Sequence, residues 1–296
     1  MVEIRKPISV EEAVQRVMTY KKRGEIERIS FHECDGRYLA EPVIATNDVP
    51  SFSKSPYDGF ALRAEDTKDA SAENPIQFKV IEHIGAGVLP EKAIETGEAI
   101  RIMTGAQIPE GATCVEMFEN CVELEIDGEA YIQLTNPLTP GQNIIGKGSE
   151  IKEGTVLIEA GTYIDPGVKA SLATFGYSEV KVAKKPVVGI IATGTELLDV
   201  DEPLEPGKIR NSNAYMVYSQ VLRAGGEPIY FGTLADELLP SYETIKDALS
   251  KVDILITTGG VSVGDFDLMP AIYEKLGAEV LFNKIAMRPG SVTTVA

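Results

Sequence analysis

The sequence has few of the residues on which several common site chemistries depend. Its 296 residues include two histidines, His32 and His83, three cysteines and no tryptophan. Neither histidine lies in a motif, which disfavours a histidine-built metal site or a Ser-His-Asp triad and leaves oxygen-bound Mg²⁺ as the favoured metal. The cysteines, Cys34, Cys114 and Cys121, are odd in number and form no CxxC pair. This pattern predicts unreactive thiols and argues against a disulfide framework or a zinc site.

Positive charge and long apolar runs are also scarce. The chain has 45 acidic and 28 basic residues, a net charge of −17, and no dense Lys/Arg tract, so we expect no nucleic-acid partner and no anionic membrane partner. No apolar run approaches the roughly 20 residues of a membrane-spanning helix, and the N-terminal MVEIRKPIS lacks a signal peptide's apolar region. We therefore expect a globular, cytoplasmic protein. A small anion would still bind beside local cations, for which the candidates are Lys147, Lys208, Arg210, Lys284 and Arg288.

The first half of the chain combines a helix with a β domain. Apolar residues recur at helical spacing from Ser9 to Lys22, and Ser9 with Glu12 forms a capping box. From Ile44 to about Gly146, short apolar runs separated by Gly and Pro predict small sheets or a barrel. The Gly-rich segment 141–161 is interpreted as the return connection. The predicted strands are 76–84, 99–103, 113–117, 122–126 and 130–134.

After Lys184-Lys185-Pro186, strands and helices alternate. The predicted strands are 187–192, 228–233, 252–256 and 280–284, and the predicted helices run from Ser212 or Asn213 to Ala224, from 239 to 250 and from 269 to 276. This alternation predicts a doubly wound parallel sheet, whose ligands bind outside the carboxyl ends of the strands. The fold class is thus α/β plus mixed β. The predicted parts are 1–45 with 147–184, an inserted β domain at 46–146, and an α/β domain at 185–296 that we expect to be incomplete at its C-terminus.

Two strand ends in the α/β part have the same form. One strand runs into TTGGVSVGDFD, where hydroxyls and glycine N–H groups can hold an anion and two carboxylates can hold a cation beside it. The anion-binding groups belong to Thr257, Thr258, Gly259 and Gly260, and the carboxylates to Asp265 and Asp267. The other strand runs into Thr193-Gly194 and then Glu196. Two such strand ends in one fold predict one shared crevice.

Acidic residues follow three successive strands of the predicted sheet. Glu196, Asp236 and Asp267 all fall at the carboxyl ends, the side on which ligands bind. Lys284 and Arg288, after the next predicted strand, supply positive charge to the same edge. Any one acid alone would be interpreted as a surface residue, but three in succession favour a functional site.

The β domain carries candidates that are less distinctive. The turn Ser55–Phe60 (SPYDGF) presents Asp58, which either serves a site or only satisfies its own turn. Thr104 follows the strand of RIMTGA, and the alternative is an ordinary strand exit. Glu150, after GKGS, is a surface acid unless the fold brings it to the others.

Taken together, the motifs resemble the molybdopterin molybdenumtransferase family, the MoeA and gephyrin E-domain proteins. The match covers the whole chain in seven motifs: SPYDGFA, RIMTGAQIPEGA, GQNIIGKGSEI, ATGTEL, GKIRNSN, TTGGVSVGDFD and NKIAMRPGSVT. Family chains continue further, so the resemblance implies a sequence truncated at its C-terminus. The residues that match the family's functional positions are Asp58, Thr104, Glu150, Glu196, Asp236, Asp267, Lys284 and Arg288.

The resemblance implies adenylylated molybdopterin and molybdate as substrates, molybdenum cofactor and AMP as products, and Mg²⁺ as cofactor. The hypothetical metal ligands are Glu196, Asp236 and Asp267, and the catalytic set is Asp58, Thr104, Glu150, Asp267, Lys284 and Arg288. The cofactor-binding set, for the pterin phosphate, is Thr193, Gly194, Thr257, Gly259, Gly260 and Ser262. A homodimer is also implied, in which Asp58 and Thr104 would serve the partner's site. Further implied partners are the molybdopterin adenylyltransferase and molybdoenzyme acceptors.

Two alternatives remain open at this point. One is a molybdopterin adenylyltransferase-like enzyme or a nucleotide pyrophosphatase on the same α/β domain, against which the additional β domain argues. The other is a non-catalytic scaffold, because the gephyrin relative also clusters receptors. That alternative would require a peptide groove, and no sequence feature indicates one.

Overall fold

The computed structural model of the chain describes residues 6–235, 237–260 and 268–296, which divide into two compact units. Unit 1 comprises Met1–Ala40, Tyr163–Asp165 and Glu179–Ala296, and unit 2 comprises Glu41–Thr162 and Pro166–Ser178. The three-part division stays a prediction. No helix in the described ranges is long and apolar enough to cross a membrane.

The helices are α1 (Val10–Met18), α2 (Pro166–Thr174), α3 (Asn213–Arg223), α4 (Leu238–Leu249) and α5 (Met269–Leu276). The strands are β1 (Ile26–Ser30), β2 (Val43–Ile44), β3 (Gly59–Leu62), β4 (Ile76–Ile84), β5 (Glu98–Ile102), β6 (Cys114–Met117), β7 (Val122–Ile126), β8 (Glu129–Leu134), β9 (Val156–Ile158), β10 (Glu179–Ala183), β11 (Val187–Thr193), β12 (Leu197–Leu198), β13 (Ile209–Arg210), β14 (Glu227–Leu234) and β15 (Ile254–Thr258).

Unit 2 is built on a six-stranded sheet in the order β6-β3-β5-β4-β8-β7. All neighbours are antiparallel except β4 and β5. Successive residues of one strand, Phe60 and Ala61, enter different apolar clusters, so both faces of the sheet are covered. The five predicted strands are confirmed, with ends shifted by at most one residue. The sixth, β3, was hidden inside the segment interpreted as a tight turn, because the turn ends at Asp58 and a strand begins at Gly59.

The N-terminal helix of unit 1 begins as predicted and ends early. The Glu12 N–H group donates to Ser9 Oγ at 3.1 Å, as expected of a capping box. The helix stops at Met18 and not at Lys22. There the Thr19 N–H group is shared between the carbonyls of Gln15 and Arg16, and the Thr19 hydroxyl donates to Arg16 at 2.6 Å. These bonds tighten and close the last turn.

The α/β part of unit 1 contains the predicted parallel sheet, in the order β14-β11-β15. The central strand is buried from Val188 to Thr193. Its residue Ile190 packs in the cluster that contains α3, whereas Ile191 packs with α4 and α5. Helices therefore cover both faces, and the doubly wound class is confirmed.

The predicted strand 280–284 is wrong. Phe282 and Ile285 form isolated bridges to Val295 and Ile8, and no described residue from 280 to 284 belongs to the parallel sheet. The physical reason is apolar packing, because Phe282, Ile285 and Ala13 of α1 form a separate core cluster. In the strand-like run 291–296, Val295 forms this bridge and the Ser291 carbonyl accepts from the Ile285 N–H group at 2.9 Å.

The start of α3 also differs in detail from the prediction. Ser212 occupies the N-cap position, as predicted, but its side chain accepts no capping bond. The bond to the first turn comes from Asn211, whose Oδ1 accepts from the Ala214 N–H group at 3.1 Å. A side chain one residue earlier therefore satisfies a helix donor.

Candidate functional site

Two Thr-Gly strand ends meet in unit 1, as the sequence predicts. Strands β11 and β15 are parallel neighbours in which Ala192 pairs with Thr258. The Thr193 side chain is 8% exposed, and its hydroxyl donates to the Thr258 carbonyl at 3.3 Å. The two turns that follow these strands thus begin side by side.

The turn after β15 fits against Thr193 because it is made of glycine. Gly259 and Gly260 have positive φ angles of 91° and 61°. A Cβ at either position would lie 2.8 Å from Thr193 Oγ1, and one at Gly259 would also overlap the Thr193 carbonyl oxygen. Without side chains, the backbone N–H groups of this turn can approach a ligand.

The acid predicted at the end of β11 lies folded over its own turn. A Cβ on Gly194, whose φ is 145°, would lie 2.8 Å from the Glu196 carboxyl carbon. The Gly194 N–H group donates to Leu234 at 3.1 Å, so the end of β14 is tied to the same turn. Glu196 therefore places a carboxylate beside the Thr193-Gly194 backbone.

Lys208, a predicted anion-binding cation, bonds to the backbone of this turn. Its Nζ donates to the Thr195 carbonyl. This bond ties the GKIRNSN segment to the exit loop of β11. The role of that segment beyond capping α3 was missed, and its proximity in sequence to TGTEL was the signal that could have suggested it.

Several predicted ligands fall outside the described ranges. These are Asp236, Ser262, Asp265 and Asp267. Within the described ranges, no three His, Cys, Asp or Glu side chains are grouped to hold a metal ion. Glu196 is thus the described member of the predicted metal set.

Lys284 and Arg288 lie on the segment that is not a strand. The Lys284 carbonyl accepts from the Ile8 N–H group at 3.1 Å, and Arg288 is exposed beside Pro289. Across the described part of the chain, no hydrogen bond or ion pair joins either side chain to Thr193 or Glu196. The placement of these two cations at the strand ends stays a prediction.

A second constellation lies in unit 2, where the structure brings Asp58 and Thr104 together. Asp58 Oδ1 accepts from the Thr104 N–H group at 2.7 Å and from its hydroxyl at 2.8 Å. These two bonds, the backbone bond first, lower the pKa of Asp58 from its ordinary value. The SPYDGF turn is held by Ser55, whose Oγ donates to the Tyr57 carbonyl at 2.6 Å. Asp58 therefore joins two motifs and does not merely satisfy its own turn.

Glu150, the third predicted residue of this unit, is exposed. Its N–H group donates to Val49 at 3.0 Å, and no hydrogen bond in the described ranges links its side chain to Asp58 or Thr104. The neighbouring loop does approach the first motif, because the Lys54 N–H group donates to Ile145 at 2.9 Å.

Two of the three cysteines, Cys114 and Cys121, have the unreactive thiols that the sequence predicts. Burial raises the pKa of Cys114 to about 12, and burial and the nearby Glu116 carboxylate raise that of Cys121 to about 12. Both side chains are therefore thiols at neutral pH.

The Asp58–Thr104 contact gives a direct prediction. Thr104→Val removes the hydroxyl donor and keeps the N–H donor, so the pKa of Asp58 should rise toward its ordinary value. Because the folded pKa is depressed, the stabilisation from ionised Asp58 is present above the ordinary pKa and is lost as the pH falls through the folded pKa. On lowering the pH, the Thr104→Val variant should lose this stabilisation at a higher pH than the unmodified protein does. Carboxyl-carbon NMR titration checks this, with Thr139→Val as control, and an unchanged Asp58 pKa would contradict the prediction.

Comparison with known proteins places two family models along this sequence. The MoeA N-terminal region (domain I and II) matches residues 8–176, and a probable molybdopterin binding domain matches residues 189–296. The first match contains Asp58 and Thr104, and the second contains the meeting of β11 and β15.

Individual proteins are similar in sequence to this chain over its whole length. The molybdopterin molybdenumtransferases of Bacillus subtilis (strain 168) and Staphylococcus aureus (strain Mu50) are 58% and 51% identical over all of this chain, which spans 69% and 70% of their lengths. A crystal structure of the molybdopterin biosynthesis moeA protein from Pyrococcus horikoshii OT3 superposes with a TM-score of 0.82 at 34% identity. That match covers 98% of this chain and 72% of the other.

Proposed function

Since the chain belongs to the molybdopterin molybdenumtransferase family, transferases of molybdenum cofactor biosynthesis, we propose that it inserts molybdate into adenylylated molybdopterin and releases AMP. The observation that carries this proposal is the meeting of the two Thr-Gly strand ends in unit 1. Such a backbone cradle at the carboxyl edge of a parallel sheet suits the phosphate of a pterin substrate.

The reaction brings anions together in an acidic protein. A molybdate dianion must reach the dithiolene beside a phosphoanhydride, while the protein carries a net charge of −17. Backbone N–H groups of Gly259 and Gly260 and the hydroxyl of Thr257 would bind the pterin phosphate. Thr193 and Gly194 would shape the opposite wall, and Ser262 completes the proposed set. Lys284 and Arg288 are proposed to offset the repulsion and to position the anhydride or molybdate.

Mg²⁺ is the proposed cofactor. The one described member of the donor set, Glu196, fits a hard cation, because its carboxylate oxygens lie at the strand-end turn. Asp236 and Asp267 would complete the set. When bound, the ion would neutralise phosphate charge and stabilise the leaving AMP.

The β-sheet unit would contribute a second group of residues. Asp58 and Thr104, with Glu150, are proposed to serve the active crevice of the other protomer in a homodimer. The lowered pKa of Asp58 supports this role, because the group is held as a carboxylate. The cytoplasm is the proposed compartment, and the molybdopterin adenylyltransferase and molybdoenzyme acceptors are the proposed macromolecular partners.

AMP release from adenylylated molybdopterin with Mg²⁺, with and without molybdate, tests the proposal. Release that depends on molybdate is expected. ATP consumption without molybdate would instead favour the adenylyltransferase alternative. If no AMP is released by this chain or by one extended to the length of its relatives, the proposal fails.

Asp267→Asn is the variant that tests the metal assignment. The change keeps the shape of the side chain and removes its charge, so Mg²⁺-dependent AMP release should be abolished while the circular dichroism spectrum is unchanged. Asp247→Asn is the control, because Asp247 is a surface residue paired with Lys251 at 2.7 Å. Unchanged AMP release in Asp267→Asn would remove this residue from the metal site.

A further inference from the structure

The segment 208–211 is bonded along its length to the loop that carries Glu196. Lys208 Nζ donates to the Thr195 carbonyl, and the Ile209 N–H group donates to the Glu196 carbonyl at 2.9 Å. The Asn211 N–H group donates to the Leu198 carbonyl at 2.8 Å. The position of the Glu196 backbone therefore depends on the position of this segment.

Asn211 anchors the segment to the rest of the α/β fold. Its side chain is 4% exposed and bonds to two different elements. Oδ1 accepts from the Ala214 N–H group at the start of α3, at 3.1 Å. Nδ2 donates to the Tyr230 hydroxyl on β14 at 2.9 Å, and that hydroxyl lies 3.1 Å from Thr233 Oγ1.

These bonds form a continuous brace between two exit loops. On one side the brace reaches Glu196, two residues before Leu198. On the other side it reaches the end of β14, at Thr233. The same two strand ends are joined directly by the bond from the Gly194 N–H group to Leu234. The brace thus holds the loop at a second point, on the far side of Glu196 from the strand.

We propose that Asn211 is a positioning residue for this site, setting the Glu196 carboxylate through the segment 208–211. This inference rests on the function proposed above and assigns a role to a buried amide that would not itself touch substrate. A buried amide bonded through both its oxygen and its nitrogen favours one geometry, and a small displacement of a reacting group lowers the rate strongly.

Amide hydrogen exchange and steady-state kinetics together test the proposal. Asn211→Ala removes both side-chain bonds of Asn211, whereas Tyr230→Phe keeps the bond to Ala214 and removes the Tyr230 hydroxyl with its bonds to Asn211 and Thr233. Both variants should speed exchange of the Ile209 amide by roughly tenfold and lower kcat by a similar factor, with KM little changed. Asn211→Asp should restore both values, because its carboxylate can still accept from Ala214 and from the Tyr230 hydroxyl.

Controls separate positioning from loss of folding. Ser212→Ala and Tyr218→Phe change neighbouring residues of the same helix start and helix surface and should leave both readouts unchanged. In a Glu196→Gln background, Asn211→Ala should lower kcat by less than a further twofold, because Asn211 is proposed to act through Glu196. Two independent residues would instead give the full additional loss. All assays are made well below the lowest Tm of the set.

An unaltered Ile209 amide in Asn211→Ala would overturn the inference, as would a full tenfold loss of kcat in the Glu196→Gln background. Hydrogen exchange is measured without substrate, so its result tests the brace independently of the proposed enzymatic function. An absence of molybdate-dependent AMP release in the unmodified protein would contradict the proposed function instead.

Discussion

Replacing Gly259 with alanine is expected to destabilise unit 1 by roughly 3 kcal/mol, combining a strained φ with a steric overlap. The φ of 91° disfavours any residue with a Cβ, and the added carbon would overlap the Thr193 carbonyl oxygen. That oxygen belongs to the backbone, so no side-chain rotation relieves the overlap. Strands β11 and β15 would have to separate at their carboxyl ends, and we expect AMP release to be lost with the cradle.

Gly225→Ala is the matched control for this variant. Gly225 has a similar φ of 88°, but a Cβ there would have no heavy atom within 4 Å. The substitution should therefore cost only about 1 kcal/mol, the penalty of the backbone conformation itself. Urea unfolding followed by circular dichroism measures both. Equal losses would show that φ and not the approach of Thr193 sets the cost.

A comparably large effect is expected for Gly59→Ala in unit 2. Gly59 pairs with Ile102 on one side and with Met117 of the edge strand β6 on the other. A Cβ would lie 2.9 Å from the Glu116 carbonyl carbon and would overlap its oxygen. The strand must shift to accommodate it, and we expect a loss of roughly 3 kcal/mol.

The same variant should disturb the neighbouring constellation. Asp58 precedes Gly59 directly, so displacement of β3 would break the bonds from Thr104. The control is Gly85→Ala, because Gly85 has no positive φ and a Cβ there would meet nothing within 4 Å. Thermal unfolding and the amide shift of Thr104 measure the two effects. A Gly59→Ala protein with the stability and the Thr104 shift of the control would contradict this account.

Much of the fold could be predicted from hydrophobic periodicity. Strand β4, strand β7 and helix α5 have the predicted bounds, and each is followed by a residue that interrupts the pattern, which is Gly85, Asp127 or Gly277. The meeting of Thr193 with Gly259 was also predictable, since carboxyl ends of parallel strands share one edge.

Other features depend on pairings that a local pattern does not contain. Strand β3 begins with a glycine, and its partners lie about 40 and 60 residues along the chain, so the segment had the pattern of a turn. Segment 280–284 has strand-like residues, but its apolar side chains pack against α1. The contact of Asp58 with Thr104 depends on the register of β3 with β5. The brace through Asn211 required the position of Tyr230, which lies 19 residues later.

The split composition of unit 1 has a consequence for the order in which the chain matures on the ribosome. Arg16 of α1 donates to the carbonyl of Leu281, 265 residues further along. At roughly 5 to 20 residues per second, about 13 to 53 s of translation separate the emergence of these two partners. All of unit 2 is synthesised within that interval and can complete its own sheet. Throughout it, Ala13 of the nascent helix is without Phe282 and Ile285, the residues with which it forms a core cluster in the finished fold.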